Sequence, residues 1–230
     1  MKKMHFLIIA FATILFVSAC ADRSVPNDES SNVDVEATAQ KNSGGERGTN
    51  EGTPRQNEAT ALPMRDFFLE DGSKAHYKGE GNEFAGFTIE VAQPYEDYFV
   101  IHENNGGTLV RQIYKINEGT IETLEKTIVD YKDEFPTLEE MEKMKPIAIY
   151  LQQPFKVGTT FGDWRITKTG ETVETPFRTF DNAFVIEQQG TDAINRKYFV
   201  QGFGEVKREA IQTTEGMEFT VTSTLESVAD

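Results

Sequence analysis

The segment Phe87–Ile101, with the sequence FTIEVAQPYEDYFVI, carries the strongest structural signal in this chain. Phe87–Val91 alternates apolar and polar residues, and Tyr98–Ile101 is a short apolar run; both patterns are typical of β-strands. A similar pair recurs later, where Phe184–Glu187 precedes Tyr198–Val200. In both places a glycine pair, a valine-basic step and a Glu-Gly step follow. The sequence therefore predicts two copies of one antiparallel β-unit.

Short β-rich runs separated by Gly- and Asn-rich turns continue through most of the chain beyond Pro63. Thr108–Tyr114 and Thr120–Leu124 are predicted strands of the first unit. Trp164–Thr167 and Thr172–Glu174 are predicted as two separate strands before the second unit. This density of strands predicts a mainly β fold.

One short helix interrupts the β pattern at Thr137–Met144. Thr137 and Glu140 have the spacing of a capping box, and Pro146 follows as a stop. We therefore expect antiparallel sheets built from two related meander-like halves, residues 63–135 and 150–230, with this helix connecting them. An open sandwich and a curled half-barrel both fit the pattern.

The N-terminus has the organisation of an export signal. A short basic start precedes the apolar run Phe6–Val17, which is the length of a signal-peptide core and short for a membrane span. Val17, Ser18 and Ala19 then precede Cys20, an order that resembles the bacterial lipobox. We expect signal-peptidase recognition at these three residues, removal of residues 1–19 and lipidation of Cys20. An ordinary secretory signal would leave an unpaired thiol at the mature N-terminus, and a short membrane helix would need more length.

Residues 20–62 predict a disordered tether between the lipid and a folded unit at 63–230. From Ala21 to Leu62 eight acidic residues face four basic ones, and aromatic residues are absent. Such a stretch buries too little apolar surface to offset the entropy lost on ordering. A flexible coil of this length would span about 30–40 Å.

The charge of the chain excludes one class of partner. The net charge is −15, and removal of Lys2 and Lys3 with the signal takes it from −15 to −17. A field of this sign repels nucleic acid. Cys20 is the sole cysteine, so its acylation leaves no thiol for a disulfide, a nucleophile or a metal site. We therefore expect a membrane partner through the lipid and no nucleic-acid partner.

The known sequence motifs for catalysis and for metal binding are each incomplete in this chain. His76 and His102 have no metal-ligand spacing, and the serines lie in no nucleophile motif. Glu90 and Glu187 occupy matched positions of the two β-units, on the strand face expected to be solvated. The sequence therefore predicts no catalytic residue, no metal and no cofactor. A non-catalytic binding module and a structural envelope protein are favoured over a hydrolase that uses carboxylates such as Glu90 and Glu187.

Aromatic residues are concentrated in the second half of the chain. Phe155, Trp164, Phe184 and Tyr198 are a candidate ligand surface. An envelope protein, a wall component or a small apolar ligand are the partners that such a surface suits. Filling the core of a β-domain is the alternative role for these side chains.

Three stretches of the second half resemble motifs of uncharacterised envelope lipoproteins from Bacillus-type Gram-positive bacteria. Pro154–Phe161 is similar to their PL-x-VG-T-x-W motif, Thr175–Ala183 to their T-P-x-G-T-F-x-N turn, and Tyr198–Arg208 to their YYA-x-G-x-G-x-VK strand pair. Arg178 departs from the pattern, which has glycine there. The resemblance implies an envelope lipoprotein with a β-rich domain, and it implies no activity. The lipobox itself predicts a lipid anchor on the outer face of the cytoplasmic membrane, and Ala21 after the cysteine is also compatible with outer-membrane sorting in a two-membrane bacterium.

Overall fold

The computed structural model describes residues 62–130, 134–214 and 217–229. The signal, the lipobox with Cys20 and nearly all of the tether lie outside these residues, and their roles stay predictions. The described residues form a short 3-10 helix at Met64–Phe67, one α-helix, α1, at Leu138–Lys143, and twelve strands. The strands are β1 (Lys74–Glu80), β2 (Phe87–Tyr95), β3 (Tyr98–Asn104), β4 (Leu109–Asn117), β5 (Thr120–Ile128), β6 (Ala148–Gln152), β7 (Thr160–Phe161), β8 (Trp164–Glu174), β9 (Thr179–Gln189), β10 (Ala193–Val200), β11 (Gly204–Thr214) and β12 (Met217–Ala229).

All twelve strands belong to one antiparallel sheet in the order β6-β5-β4-β3-β2-β1-β12-β11-β10-β9-β8-β7. The sheet consists of two meanders, β1–β6 and β7–β12, that meet where β1 pairs with β12. It curls until β6 and β7, its two end strands, come close together, which gives a nearly closed, barrel-like shape. The mainly β fold is confirmed, and the curled arrangement is the one adopted.

The matched sequence motifs fall on the second to fourth strands of the first meander and on the third to fifth strands of the second. Those on β2, β3 and β4 correspond to those on β9, β10 and β11. Because neighbouring strands alternate in direction, β2 and β9 run in opposite directions within the sheet. The two halves therefore share the local pattern of a meander rather than a simple rotational relation around the curled sheet.

The predicted helix is confirmed together with its cap. Oγ1 of Thr137 accepts a hydrogen bond from the backbone N–H of Glu140, and the Glu140 side chain accepts one from the backbone N–H of Thr137. Met141 is buried against Tyr98, Val100, Ile113 and Leu124 on the outer face of β3–β5. Neither helix of the described residues is long and apolar enough to cross a membrane.

The space inside the sheet is filled at one end by the segment Met64–Leu69, which we call the plug. Met64, Phe67, Phe68 and Leu69 are buried in the main core. The backbone N–H of Gly202 donates to the carbonyl oxygen of Asp66 at 2.6 Å, which holds the plug against the β10–β11 turn. The apolar surface that the plug buries contributes to stability in proportion to its area.

Candidate ligand-binding site

A group of four charged side chains, the charge cluster, lies within the curled sheet at the end opposite the plug. It consists of Glu103 on β3, Lys197 on β10, and Glu205 and Arg208 on β11. Residues three apart on a regular strand point to opposite faces, but the pairing of β10 with β11 shifts register between Tyr198 and Phe199. This β-bulge explains how Glu205 and Arg208 reach the same interior space.

The charge cluster is fully ion-paired. The guanidinium of Arg208 donates to both carboxylate oxygens of Glu103, at 3.2 and 3.0 Å, and its Nε donates to Glu205. Nζ of Lys197 lies 2.9 Å from Oε2 of Glu205. Two cations therefore face two carboxylates, and each charge has an opposite partner.

Burial and pairing compete in setting the pKa values of the cluster. Burial raises the pKa of Glu205, but Arg208 and Lys197 more than offset this and lower it to about 2. Burial also lowers the pKa of Lys197, more strongly than Glu205 raises it. For Arg208 burial lowers the pKa, and the two carboxylates raise it beyond its ordinary value. In all three of these groups, pairing therefore opposes the effect of burial on the pKa.

Tyrosines surround a small void of about 40 Å³ between the charge cluster and the plug. The Tyr77 hydroxyl donates to the backbone carbonyl of Glu205 at 2.6 Å, and the Tyr114 hydroxyl donates to Oε1 of Gln112 at 2.7 Å. Burial is the main cause that raises the pKa of Tyr77, Tyr114 and Tyr150, so the phenols stay protonated. A polar void of this size suits ordered water.

A larger cavity of about 280 Å³ opens from the charge cluster to the surface, and we call it the mouth. Glu103, Lys197 and Arg208 form its floor, since they also line the inner void. Its aromatic side chains are Phe84, Phe87 and Trp164. Phe84 is 59% exposed although it is a large apolar residue.

Cations and aromatic rings are interleaved where the mouth meets the interior. The Arg208 guanidinium lies 4.2 Å from the centre of the Phe87 ring. Nζ of Lys197 lies 5.3 Å from the ring centre of Tyr150 and 5.7 Å from that of Trp164. These cation–π contacts hold the rings and the charged groups in one arrangement.

Three asparagines line the mouth, and each uses one end of its amide within the protein. Oδ1 of Asn82 accepts from the backbone N–H of Phe84, and Oδ1 of Asn105 accepts from those of Gly107 and Thr108. Nδ2 of Asn195 donates to Gln188 at 3.4 Å. The NH₂ groups of Asn82 and Asn105 and the carbonyl of Asn195 have no hydrogen-bond partner among the described residues. Oriented polar groups of this kind are typical of a binding cavity.

The structure does not bring the four aromatic residues of the predicted ligand surface together. Trp164 lines the mouth. Phe155 and Phe184 stack at a centroid distance of 4.5 Å beside Phe67 of the plug, at the other end of the sheet. Tyr198 instead donates to Glu209 at 3.0 Å, and burial and this carboxylate raise its pKa to about 12.

Glu90 and Glu187 do not converge on a common site. Glu90 pairs with Lys74 and Glu187 with Arg196, each at 2.7 Å. Their strands, β2 and β9, are separated by four others in the sheet. The carboxylates that do converge are Glu103 and Glu205, which meet at Arg208. A general acid needs a raised pKa, whereas the pKa of Glu205 is lowered.

The two histidines of the folded unit lie apart from the mouth. His76 contacts Thr88 and Glu226, and His102 stacks on Phe135 at 5.7 Å. Burial lowers the pKa of His102. Within the described ranges, no three His, Cys, Asp or Glu side chains are grouped to hold a metal ion.

Sequence reasoning did not select the charge cluster. The sequence predicts only a strand for Glu205 and Arg208, because the side chains that face the interior depend on a bulge that short motifs do not reveal. One signal was present: Arg196 and Lys197 directly precede the apolar run Tyr198–Val200. Adjacent charges inside a strand point to opposite faces, so one of them has to face the interior.

No model of a known protein family matches this chain, and no curated protein matches it in sequence. Its fold is similar to that of a proposed exported protein with a YMCC-like fold from Bacteroides fragilis, at a TM-score of 0.47 and 13% identity over 74% of this chain and 100% of the other. It is also similar to a proposed lipoprotein from Parabacteroides distasonis, at a TM-score of 0.41 and 13% identity over 74% of this chain and 99% of the other. The resemblance to lipoproteins of Bacillus-type bacteria stays a prediction from the sequence.

Proposed function

We propose that this chain is an exported lipoprotein, anchored through Cys20, whose folded unit binds a small molecule at the mouth without converting it. The observation that carries the proposal is the open cavity of about 280 Å³ that ends on the charge cluster. A concave site that combines aromatic walls with a few oriented polar groups is the usual form of a ligand pocket.

Binding suits this site better than catalysis. Arg208 pairs with both Glu103 and Glu205, and pairing with Arg208 and Lys197 lowers the pKa of Glu205, so the Glu205 carboxyl is not poised to donate a proton. The basic groups are paired in turn. The mouth therefore offers a fixed pattern of donors, acceptors and rings, which serves recognition.

The N-terminal region supports the location. The lipobox-like order Val17-Ser18-Ala19-Cys20 supports lipidation of Cys20 and anchoring at the outer face of the cytoplasmic membrane, and a diacyl group would supply the two chains that stable anchoring needs. The tether acts as a spacer in this proposal, because its polar, acidic composition offers few anchors for a partner. Cys20→Ala is expected to abolish lipidation and the processing that follows it, and a variant whose processing and membrane retention are both unchanged would contradict the anchor.

Binding at the mouth is tested on the full chain extracted from membranes in mild detergent. The purified protein is denatured, and the small molecules it releases are identified by mass spectrometry. We expect a released compound that is missing from the double variant Phe84→Ala/Trp164→Ala. Phe177→Ala is the matched control, since it removes a partly exposed ring at the opposite end. Identical release profiles for all three proteins would overturn the proposal.

A further inference from the structure

We propose that the ligand of the mouth is an uncharged, hydroxyl-rich molecule, namely a short segment of a glycan, rather than an anion or an apolar chain. This inference rests on the proposed binding function and names its ligand class. The charges, the amides and the rings that line the cavity support it.

The cations of the mouth are engaged by the protein itself. Arg208 is held by Glu103 and Glu205, and Lys197 by Glu205. Arg196, which also lines the mouth, pairs with Glu187 at 2.7 Å and lies 3.8 Å from Glu209. An anionic ligand would have to displace a carboxylate from one of these cations while approaching a chain of net charge −15. The electrostatics therefore disfavour an anion.

An apolar chain is disfavoured by the polar lining. It would cover the unpartnered amide ends of Asn82, Asn105 and Asn195 and the charged floor without supplying hydrogen bonds. Covering a polar group without a replacement hydrogen bond costs about 1–3 kcal/mol for each group. The apolar contact offered by Phe84 and Trp164 does not offset several such losses.

A neutral sugar carries no charge and supplies hydrogen bonds, so it meets both of these requirements. Each hydroxyl both donates and accepts, so it accepts from the NH₂ groups of Asn82 and Asn105 and donates to the carbonyl of Asn195. The C–H face of a sugar ring packs on Trp164 and on the exposed Phe84. The cavity holds a short segment, and its open side lets a longer chain continue outward.

Trp164 provides the assay, because it is the only tryptophan in the chain and it lines the mouth. Its fluorescence is followed while the full chain, in detergent, is titrated with neutral tetrasaccharides of glucose, galactose and N-acetylglucosamine. Inorganic phosphate and dodecanoate are titrated separately as the anionic and apolar probes. We expect a saturable change with at least one tetrasaccharide and none with phosphate or dodecanoate.

Asn82→Asp and Asn105→Asp test the recognition itself. Each substitution keeps the oxygen that accepts the loop hydrogen bonds and replaces only the NH₂ donor. We expect each to weaken saccharide binding by about tenfold or more, the equivalent of about 1.4 kcal/mol. Asn117→Asp, on the strand end away from the mouth, is the matched control and should bind as the wild type does.

The outcomes separate this inference from the proposed function. A fluorescence response to phosphate or dodecanoate and to no saccharide would overturn the glycan assignment and leave small-molecule binding intact. The assignment also fails if no probe responds, or if the two Asp variants bind saccharide as tightly as the wild type. The proposal of small-molecule binding at the mouth is contradicted only if the variant Phe84→Ala/Trp164→Ala releases the same compounds as the wild type.

Discussion

The two ends of the curled sheet differ in the side chains that their strands direct into the interior. At the plug end, Phe67, Phe155 and Phe184 pack ring against ring, with centroid distances of 4.5 to 5.5 Å. At the mouth end, Arg208 and Lys197 pair with Glu103 and Glu205 beneath an open cavity. At the plug end a cavity of about 340 Å³ lies beside these packed rings, whereas the mouth ends on the charge cluster and on amide groups that have no partner among the described residues.

This difference suggests that the plug end mainly stabilises the fold and that the mouth end mainly binds a ligand. Aromatic packing contributes through buried area and dispersion, so the plug end should carry much of the free energy of unfolding. A buried ion-pair network roughly balances its own desolvation, so its presence at the mouth adds little stability. It fixes the positions of charged groups and rings, which is what a binding site requires.

The largest expected effect is loss of the plug. Phe67 is 2% exposed and contacts both Phe155 and Phe184. Phe67→Ala should lower the free energy of unfolding by about 3–5 kcal/mol, because it leaves a cavity that the sheet cannot close. Denaturant unfolding measures the change, and Phe177→Ala, at a partly exposed ring, should cost about 1 kcal/mol or less. Equal costs for the two variants would show that the plug is not a centre of stability.

The next effect is expected from the charge cluster. Glu205→Gln keeps the shape of the side chain but removes the carboxylate that serves both Lys197 and Arg208. Breaking a buried pair in this way should cost about 3 kcal/mol at pH 7, since two partly buried cations lose a partner. A double variant Glu205→Gln/Lys197→Met should recover part of that loss. If it recovers none, the cost comes from packing rather than charge.

The same residue makes stability depend on pH in a defined direction. The pKa of Glu205 is lowered in the folded protein to about 2 from its ordinary value of 4.5. A carboxyl with a lowered folded pKa stabilises the fold above its unfolded pKa and loses that contribution as the pH falls through the folded pKa. The stability difference between wild type and Glu205→Gln should thus be complete above about pH 5 and shrink between pH 4.5 and 2. A difference independent of pH over this window would contradict the ionised cluster.

A smaller effect should appear where the plug meets the β10–β11 turn. Gly204 has φ of +71°, and a Cβ there would lie 2.4 Å from the carbonyl oxygen of Phe67. Gly158 also has a positive φ, of +96°, but has open space around it. Gly158→Ala should cost about 1 kcal/mol from backbone strain alone. Gly204→Ala should cost about 2 kcal/mol or more, because the clash adds to the strain. Equal costs would mean that the plug yields to the new methyl group.

The features that follow from local patterns were predictable from the sequence. Alternating and β-branched runs gave the mainly β fold, and Thr137 with Glu140 gave helix α1 and its cap. The strand β1 was not predicted, because KAHYKGE is largely polar and only Ala75 and Tyr77 are buried in it. The prediction of two strands at Trp164–Thr167 and Thr172–Glu174 was wrong: they are one strand, β8, whose register shifts accommodate Gly170.

The charge cluster could not be predicted from the sequence, for a different physical reason. The charge cluster joins β3, β10 and β11, and its geometry depends on how far the sheet curls and on a one-residue bulge. A single residue of register moves every later side chain of a strand to the other face. Local sequence does not fix that shift, so the composition of the interior follows only from the assembled sheet.

The smallest effects are expected on the outer face, where Glu90 and Glu187 lie. The Lys74 and Glu90 side chains are 61% and 58% exposed, and exposed pairs of this kind contribute about 0–1 kcal/mol because water screens them. Glu90→Gln should therefore change the free energy of unfolding by less than about 0.5 kcal/mol.

Glu187 pairs with Arg196, which lines the mouth. Glu187→Gln should change the free energy of unfolding by no more than about 1 kcal/mol, but it should weaken ligand binding modestly because Arg196 loses its partner. Titration of both variants through Trp164 fluorescence distinguishes the roles. Loss of binding in Glu90→Gln would show that the outer face, rather than the mouth, holds the ligand.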